Sequence, residues 1–188
     1  MNELTNKEIR FHPTHDVAVV RFATSSTKTK LGFDTRIVSL VTNTVISSTE
    51  SAVVPMEVEG LRCLANVQIG DDVFVFGYPS SIGLRESPRF DYSKPLLRKG
   101  IISGIHDDAK TIIVDSAVYF GNSGGPVLEV EHVDLLVTRF SIIGVVSEMI
   151  PFVDLWENKR FDYMTANVSN SGYAVIEPVD FVLELLWE

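Results

Sequence analysis

The chain has 188 residues, of which 45% are hydrophobic and 22% charged, so it is long enough and apolar enough to bury one continuous core. That composition excludes intrinsic disorder, collagen and coiled coil. Its 16 Lys and Arg residues against 25 Asp and Glu residues give a formal net charge of −9. No nucleic acid and no anionic membrane is expected as a partner, because both attract basic proteins.

Cysteine usage and the N-terminus bear on where the protein works. Cys63 is the only cysteine, so no internal disulfide can form and no cysteine cluster can hold zinc. No apolar run approaches the ~20 residues that a membrane-spanning helix requires. Residues 1–10 are polar and charged where a secretory signal has its apolar region, so we expect a cytoplasmic protein.

Short apolar segments rich in β-branched and aromatic residues follow one another along most of the chain, each bounded by turn residues. Because no helical pattern separates them, we expect an antiparallel, all-β fold, either a sandwich or a barrel. Long surface connections are expected at residues 43–59 and 80–95, where Ser, Thr, Pro and charged residues dominate. The predicted strands are residues 16–22, 36–41, 73–76, 96–105, 111–116, 126–130 and 140–147.

The end of the chain has a different periodicity. Pro178 is suited to the first turn of a helix, and Asp180 lies where the positive end of the helix dipole favours an acid. A short C-terminal helix is therefore predicted over residues 178–187. The residues that repeat at helical spacing are Val179, Val182, Leu183 and Leu186.

An aromatic segment lies between the last predicted strand and the helix. Residues 152–161 contain Phe152, Trp156 and Phe161 among several charged residues. We interpret these aromatic side chains as packed in the core or in a lid. Contact with a partner is the alternative.

The most informative segment is residues 119–127, YFGNSGGPV, which places Ser123 in a glycine-bounded turn between two apolar strands. A nucleophilic hydroxyl needs such a turn, because the side chain then projects into a cleft and a substrate carbonyl can approach the backbone. The N–H groups of Gly121 and Ser123 can then stabilise a developing oxyanion, where the loss of one donor costs ~3 kcal/mol. For a bare G-x-S-G, an ordinary β-turn that contains a hydroxyl is the alternative interpretation.

The full heptad GNSGGPV resembles the trypsin-like, chymotrypsin-fold serine peptidases, and most closely their disulfide-poor bacterial and organellar branch. Other segments are similar to that family and occur in the family's order. HPTHDVAVV resembles the strand that opens with the triad aspartate, and IGDDVFVFGYP resembles the start of the second barrel. The matching segments are residues 12–20, 69–79, 99–104, 121–127, 143–147 and 172–175.

The resemblance implies two antiparallel β-barrels of the chymotrypsin type with a cleft between them. Residues 1–68 would form a partial first barrel that carries the triad aspartate. Residues 69–188 would form the second barrel, with the nucleophile and the short terminal helix. The first barrel is expected to be incomplete, because too few residues precede Asp16 to supply its first strands.

The resemblance also assigns roles within the expected cleft. Ser123 would be the nucleophile, Asp16 the carboxylate that orients the base, and Gly121 with Ser123 the oxyanion hole. A polypeptide is the expected substrate, with a small or medium apolar side chain before the scissile bond, since the residue six before the nucleophile is uncharged. The residues expected to bind substrate are Ala117, Ser147, Glu148, Met149 and Gly172.

A recognisable catalytic histidine is missing. The family takes its base from an A-[AG]-H motif several strands before the aspartate, and the 15 residues before Asp16 lack it. His15 adjoins Asp16 and would point to the opposite face of an extended strand. His12 is expected to be a solvated surface residue. His106 and His132 are expected to cap loops.

Three explanations of the missing histidine remain open. The chain is a fragment or truncated form whose histidine lies upstream, or it is a catalytically inactive module that binds a peptide or protein partner, or another group serves as the base. The first is favoured, because Asp16 and the whole GNSGGP turn are present.

Two further features bear on activation and cofactors. Many secreted relatives have an aspartate before the nucleophile that pairs with a new N-terminal amine, whereas Asn122 carries no charge, so activation by that ion pair is not expected. The acid pairs at residues 71–72 and 107–108 lack the alternating oxygen ligands of a calcium loop. We therefore expect neither metal nor cofactor.

Overall fold

The computed structural model describes residues 9–20, 27–28, 34–35, 58–79, 89, 91, 94–134 and 136–187. Its contacts divide the chain into two compact units, residues 58–181 and residues 1–57 together with 182–188. The described elements are β1 (Ile9–Phe11), β2 (Ala18–Val20), β3 (Thr27–Lys28), β4 (Asp34–Thr35), β5 (Asp72–Gly77), β6 (Leu96–His106), β7 (Thr111–Asp115), β8 (Pro126–His132), β9 (Thr138–Asn158), β10 (Tyr163–Pro178) and helix α1 (Val179–Trp187).

A closed antiparallel barrel occupies the larger unit, with strand order β10-β7-β6-β5-β8-β9. Alternate residues of its strands point inward, as the period of two requires. In β5, for example, Val73 and Val75 are fully buried. The core is therefore almost entirely β-branched: Val67, Val73, Val75, Ile102, Ile112, Val114, Val118, Val127, Ile143, Val146, Ala174 and Ile176.

The predicted all-β class is confirmed. Strands β5 to β8 agree with the predicted segments within two residues at each end. The reason is that buried and more exposed residues largely alternate along these segments, as the sequence pattern predicted. The predicted helix is also confirmed, since α1 spans Val179–Trp187. The predicted strand at 36–41 and most of the predicted connections at 43–59 and 80–95 lie outside the described residues.

Strand β9 is much longer than the strand predicted at residues 140–147, and β10 was not among the predicted strands. β9 has 21 residues and β10 has 16, and over residues 151–158 and 163–170 they pair with each other as a two-stranded hairpin, which we call the arm. Phe152, Trp156 and Phe161 of the arm are 58%, 66% and 69% exposed. The expectation that these aromatic side chains pack in the core is therefore wrong. The arm leaves the barrel, so its apolar residues face solvent.

A buried charged pair, Arg62 and Glu129, connects the segment before β5 to strand β8. The Nε atom of Arg62 lies 3.1 Å from Oε2 of Glu129, and Gln68 N–H donates to the other carboxylate oxygen at 3.2 Å. Burial raises the pKa of Glu129, and the Gln68 N–H and Arg62 oppose that shift only in part. This pair attaches residues 62–68 to β8.

The smaller unit contains two short hairpins and the second half of α1. β1 pairs with β2, and the guanidinium of Arg10 donates to the carbonyl of Leu185 at 2.8 Å. Asp16 lies in the bend between these two strands, not within an extended strand. In the part of the chain that the structure describes, no helix is long and apolar enough to span a membrane.

The close contact between β9 and β10 leaves no room for a side chain at Gly144. A Cβ atom at Gly144 would lie 2.1 Å from the carbonyl oxygen of Glu177, whereas a Cβ at Gly104 would meet nothing within 4 Å. We predict that Gly144→Ala lowers the free energy of unfolding by ~2–4 kcal/mol. Gly104→Ala should stay within ~1 kcal/mol of the parent or stabilise it slightly. Urea denaturation of both variants measures the difference, and equal midpoints would contradict the described packing.

Candidate active site

Ser123 lies in the loop that joins β7 to β8. Gly121 and Gly124 have φ angles of +91° and +78°, a region that side chains with a Cβ rarely adopt. Two tight turns shape the loop: Asn122 N–H donates to the carbonyl of Tyr119, and Gly125 N–H donates to the carbonyl of Asn122, both at 2.9 Å. The glycines flanking Ser123 thus have a conformational role.

Asn122 anchors the loop. It is only 1% exposed, and its Oδ1 atom accepts a hydrogen bond from Tyr119 N–H at 3.0 Å. Its side chain also fills the space above Gly77, where an added Cβ would lie 2.2 Å from Nδ2. The residue before the predicted nucleophile therefore packs inside the protein, which accounts physically for a neutral amide at this position.

The main-chain donors of the loop fall into two groups. Gly124 N–H donates to the carbonyl of Val146 at 2.8 Å, and Gly125 N–H is used within the loop. By contrast, among the described residues neither Gly121 N–H nor Ser123 N–H has a hydrogen-bond partner, and both residues are exposed. These are the two donors that the sequence assigned to an oxyanion hole.

The hydroxyl of Ser123 is exposed and donates to the carbonyl oxygen of Ser147 at 3.0 Å. An amide carbonyl is too weak a base to remove the hydroxyl proton at neutral pH. In this arrangement Ser123 is therefore well placed for attack but not activated for it.

A cavity of about 410 Å³ opens beside Ser123. Three of the residues predicted to bind substrate line it, whereas Ala117 and Gly172 are not among its lining residues. The uncharged side chains of Val118 and Met149 contribute to its wall. The lining residues are Val118, Tyr119, Phe120, Ser123, Ser147, Glu148, Met149, Val168, Ser169 and Asn170.

Sequence reasoning missed the wall made by residues 168–170, at the base of the arm. Asn170 holds this wall in place, because its Nδ2 donates to the carbonyl of Val118 at 2.6 Å and its Oδ1 accepts from Gly172 N–H at 2.8 Å. The register of β10 against β9 shifts between Asn170 and Ala174, and Gly172 has a φ of +90°. An Asn-Ser-Gly triplet inside a strand pattern is the signal that could have indicated this bulge.

His12 is not the solvated residue that the sequence predicted. Its side chain is 7% exposed, and its Nδ1 accepts from the N–H groups of Thr14 and His15 at 3.3 Å and 3.1 Å. Since Nδ1 accepts, the ring proton of the neutral form lies on Nε2, which donates to Glu184 at 3.0 Å. Both ring nitrogens are thus engaged within the smaller unit.

His15 does not lie in an extended strand, contrary to what the sequence predicted. Residues 13–16 form a bend, so the alternation of side chains along a strand does not apply to His15 and Asp16. His15 is half-buried, with its ring edge-on to His12 at a centroid separation of 5.0 Å. Asp16 is exposed.

Of the two histidines in the barrel unit, His106 caps a turn, in agreement with the sequence, whereas His132 contacts the residue opposite it on β9. Nδ1 of His106 accepts from Ala109 N–H at 3.0 Å, and Nδ1 of His132 lies 3.3 Å from the hydroxyl of Thr138. Both side chains are exposed, and neither lines the Ser123 cavity.

Cys63 offers no competing nucleophile. Burial, together with the neighbouring carboxylate of Asp180, raises the pKa of its thiol. The reactive thiolate form is therefore suppressed further at neutral pH.

The family profile of the trypsin-like peptidase domain matches residues 2–135 of the chain. The chain belongs to this family. The match includes Asp16, strands β5 to β8 and the whole Ser123 loop, and it ends before β9 and the arm. No curated protein matches the chain significantly. Membership supports a protease-type function, and a trypsin-like peptidase acts on polypeptide substrates.

Because Asn122 is buried, we predict that a negative charge at this position destabilises the protein. Asn122→Asp should lower the free energy of unfolding by ~2–3 kcal/mol at neutral pH, because it buries a carboxylate in the loop. Burial would raise the pKa of that carboxyl, so the loss is largest above the raised folded-state pKa. It should vanish as the pH falls to the ordinary aspartate pKa of ~3.9.

Asn66→Asp is the matched control, because Asn66 is exposed and the substitution adds the same charge. Its effect should stay within ~0.5 kcal/mol at every pH. Urea denaturation near pH 7 and near pH 4.5 compares the two variants. A pH-independent loss for Asn122→Asp would show that charge burial is not the cause.

Proposed function

We propose that the chain is a serine endopeptidase domain that cleaves peptide bonds through an acyl-enzyme on Ser123. The observation that carries the proposal is the Ser123 loop itself: an exposed hydroxyl, two exposed main-chain donors that have no partner among the described residues, and an adjoining cavity. Asp16 is assigned to orient a histidine base. That histidine is supplied from outside these 188 residues, in a longer form of the protein.

The proposed reaction begins when the hydroxyl of Ser123 leaves the carbonyl of Ser147, a hydrogen bond worth ~1 kcal/mol. The base takes the hydroxyl proton as Oγ forms a bond to the substrate carbonyl carbon. The carbonyl oxygen takes up the electron pair and is stabilised by the N–H groups of Gly121 and Ser123. The C–N bond then breaks, the amine leaves with the proton from the base, and water hydrolyses the acyl-enzyme.

The cavity supports a preference for apolar side chains before the scissile bond. Its wall includes the apolar side chains of Val118 and Met149. Ala117, which the resemblance assigns to the base of the pocket, is neutral but is not among the residues that line the cavity. Glu148 is exposed among the lining residues. The main chain of residues 147–149 is assigned to pair with the substrate, with Gly172 behind it.

The second candidate is a catalytically inactive module that binds peptides in the same cavity. The hydrogen bond from Ser123 to Ser147 favours it, because the hydroxyl already has an acceptor that is not a base. Both candidates use the same residues, so they differ in whether Ser123 reacts.

Chemical rescue of the base separates the two candidates. We expect the chain alone to be labelled slowly by a fluorophosphonate, with peptide hydrolysis ~10⁴–10⁶-fold below that of an enzyme with a complete triad. Added imidazole should raise the labelling rate at least ~10-fold, because it supplies the missing base. The measurement is in-gel fluorescence with peptide mapping of the labelled residue.

Ser123→Ala is the control and should remove all imidazole-dependent labelling. Labelling that imidazole does not change would favour the inactive module. Rapid labelling without imidazole that His12→Ala or His106→Ala abolishes would contradict the proposal that the base comes from outside the chain.

A further inference from the structure

The arm displays an apolar stripe on one face. In an antiparallel pair, opposite residues share a face, and Val153 lies opposite Val168, Leu155 opposite Ala166. Val153, Leu155 and Val168 are 51%, 62% and 59% exposed, and Met164 at the far end of the same face is 67% exposed. An isolated two-stranded hairpin is only marginally stable in water. A third strand that covers part of the apolar stripe would therefore stabilise the arm.

The free edge of β9 can accept that strand. Within residues 58–181, no described strand pairs with this edge beyond Val145. The carbonyl of Ser147 faces the Ser123 loop, whereas the carbonyl of Ile150 accepts from the Ser171 hydroxyl on β10. By alternation, the odd-numbered residues from 149 to 157 direct their main-chain groups toward the open side.

The stripe and the edge both lead to the Ser123 cavity. Val168 belongs to the stripe and also lines the cavity, and Met149 lines the cavity at the start of the free edge. The edge from Met149 to Glu157 is about 27 Å long. Pro151 lacks an N–H and so interrupts the donors between the cavity and the arm, a feature typical of edge strands.

We propose that the arm binds an extended polypeptide segment, apolar at alternate positions, which adds as a strand to β9 and leads into the Ser123 cavity. Its identity as substrate rests on the proposed function. The segment runs antiparallel to β9, so its residues lie progressively farther from the scissile bond along the arm. Affinity comes from main-chain hydrogen bonds, and selectivity comes from contact with Val153 and Leu155 on β9.

Charge favours such a segment over a second copy of this chain. The β9 side of the arm carries Asp154 and Glu157, whereas residues 163–170 of β10 carry no charge. Two copies paired through β9 would place acids near acids on chains that each carry a net charge of −9. A neutral or basic peptide avoids that repulsion.

Binding is tested with Ser123→Ala protein, which cannot cleave the probe. The probe is a fluorescein-labelled peptide of about twelve residues in which leucine alternates with threonine, with a lysine at each end, read by fluorescence anisotropy. Leu155→Asp should weaken binding at least ~10-fold, because it removes an apolar contact and places a hydrated carboxylate against a leucine of the probe. Thr165→Asp, exposed on the opposite face of the arm, should change it less than ~2-fold.

Peptides with altered backbones provide a second test that leaves the protein unchanged. N-methylation at alternate positions blocks the donors on one edge of the bound strand. One of the two N-methylated peptides should lose binding at least ~10-fold, while the other, methylated on its outer edge, should bind within ~2-fold of the parent peptide. Far-UV circular dichroism establishes that the variants are folded.

The outcomes separate this inference from the proposed function. Equal effects of Leu155→Asp and Thr165→Asp, or equal effects of the two N-methylated peptides, would overturn the arm site even if imidazole rescues labelling of Ser123. Dimerisation that Leu155→Asp abolishes and the peptide cannot compete with would also overturn it. Peptide binding with the expected selectivity would support the site even if Ser123 proves unreactive.

Discussion

The buried side chain of Asn122 is the contact on which the arrangement of the candidate site depends. Its side-chain Oδ1 accepts a hydrogen bond from Tyr119 N–H, while its main chain closes one turn that precedes Ser123 and one that contains it. With these groups paired inside the loop, the N–H groups of Gly121 and Ser123 are left exposed to solvent and substrate. The positive φ at Gly121 and Gly124 completes this geometry, because residues with a Cβ would resist it.

The hydrogen bond from Ser123 to the carbonyl of Ser147 links the Ser123 loop to the part of β9 that leads into the arm. One short segment of β9 therefore serves two purposes. Its main chain positions the hydroxyl, and its side chains form part of the cavity wall. In the described part of the chain, the acceptor of the Ser123 hydroxyl is therefore a main-chain carbonyl of β9.

The sequence predicted those strands whose apolar residues lie in the core. Strands β5 to β8 alternate between core and surface, so Val73 and Val75 identify β5 directly. The arm breaks that rule, because Leu155 and Trp156 are apolar yet exposed, and a pattern argument places such residues inside. The Asn-Ser-Gly triplet at residues 170–172 could have indicated a bulge, but the position of residues 168–170 beside Ser123 depends on pairing between distant parts of the chain.

The burial of His12 escaped prediction for a similar reason: its partner Glu184 lies 172 residues away in the chain. By contrast, the glycine-bounded turn at Ser123 could be predicted, since Asn122 closes it through hydrogen bonds with Tyr119 and Gly125, each three residues away. The burial of Asn122 against Gly77 and the contact of Ser123 with Ser147 join distant residues and were not predicted. A turn built from neighbouring residues can be predicted from the sequence, whereas the residues that line the cavity beside it are brought together by the fold.

The most direct test of this account is a crystal structure of the chain with a phosphonate bound covalently to Ser123, prepared with imidazole. The account predicts a phosphonyl oxygen within ~2.7–3.1 Å of the N–H nitrogens of both Gly121 and Ser123, with the phosphonate side chain in the cavity beside Val118 and Met149. A phosphonyl oxygen that points away from both donors, in a loop otherwise unchanged, would contradict it.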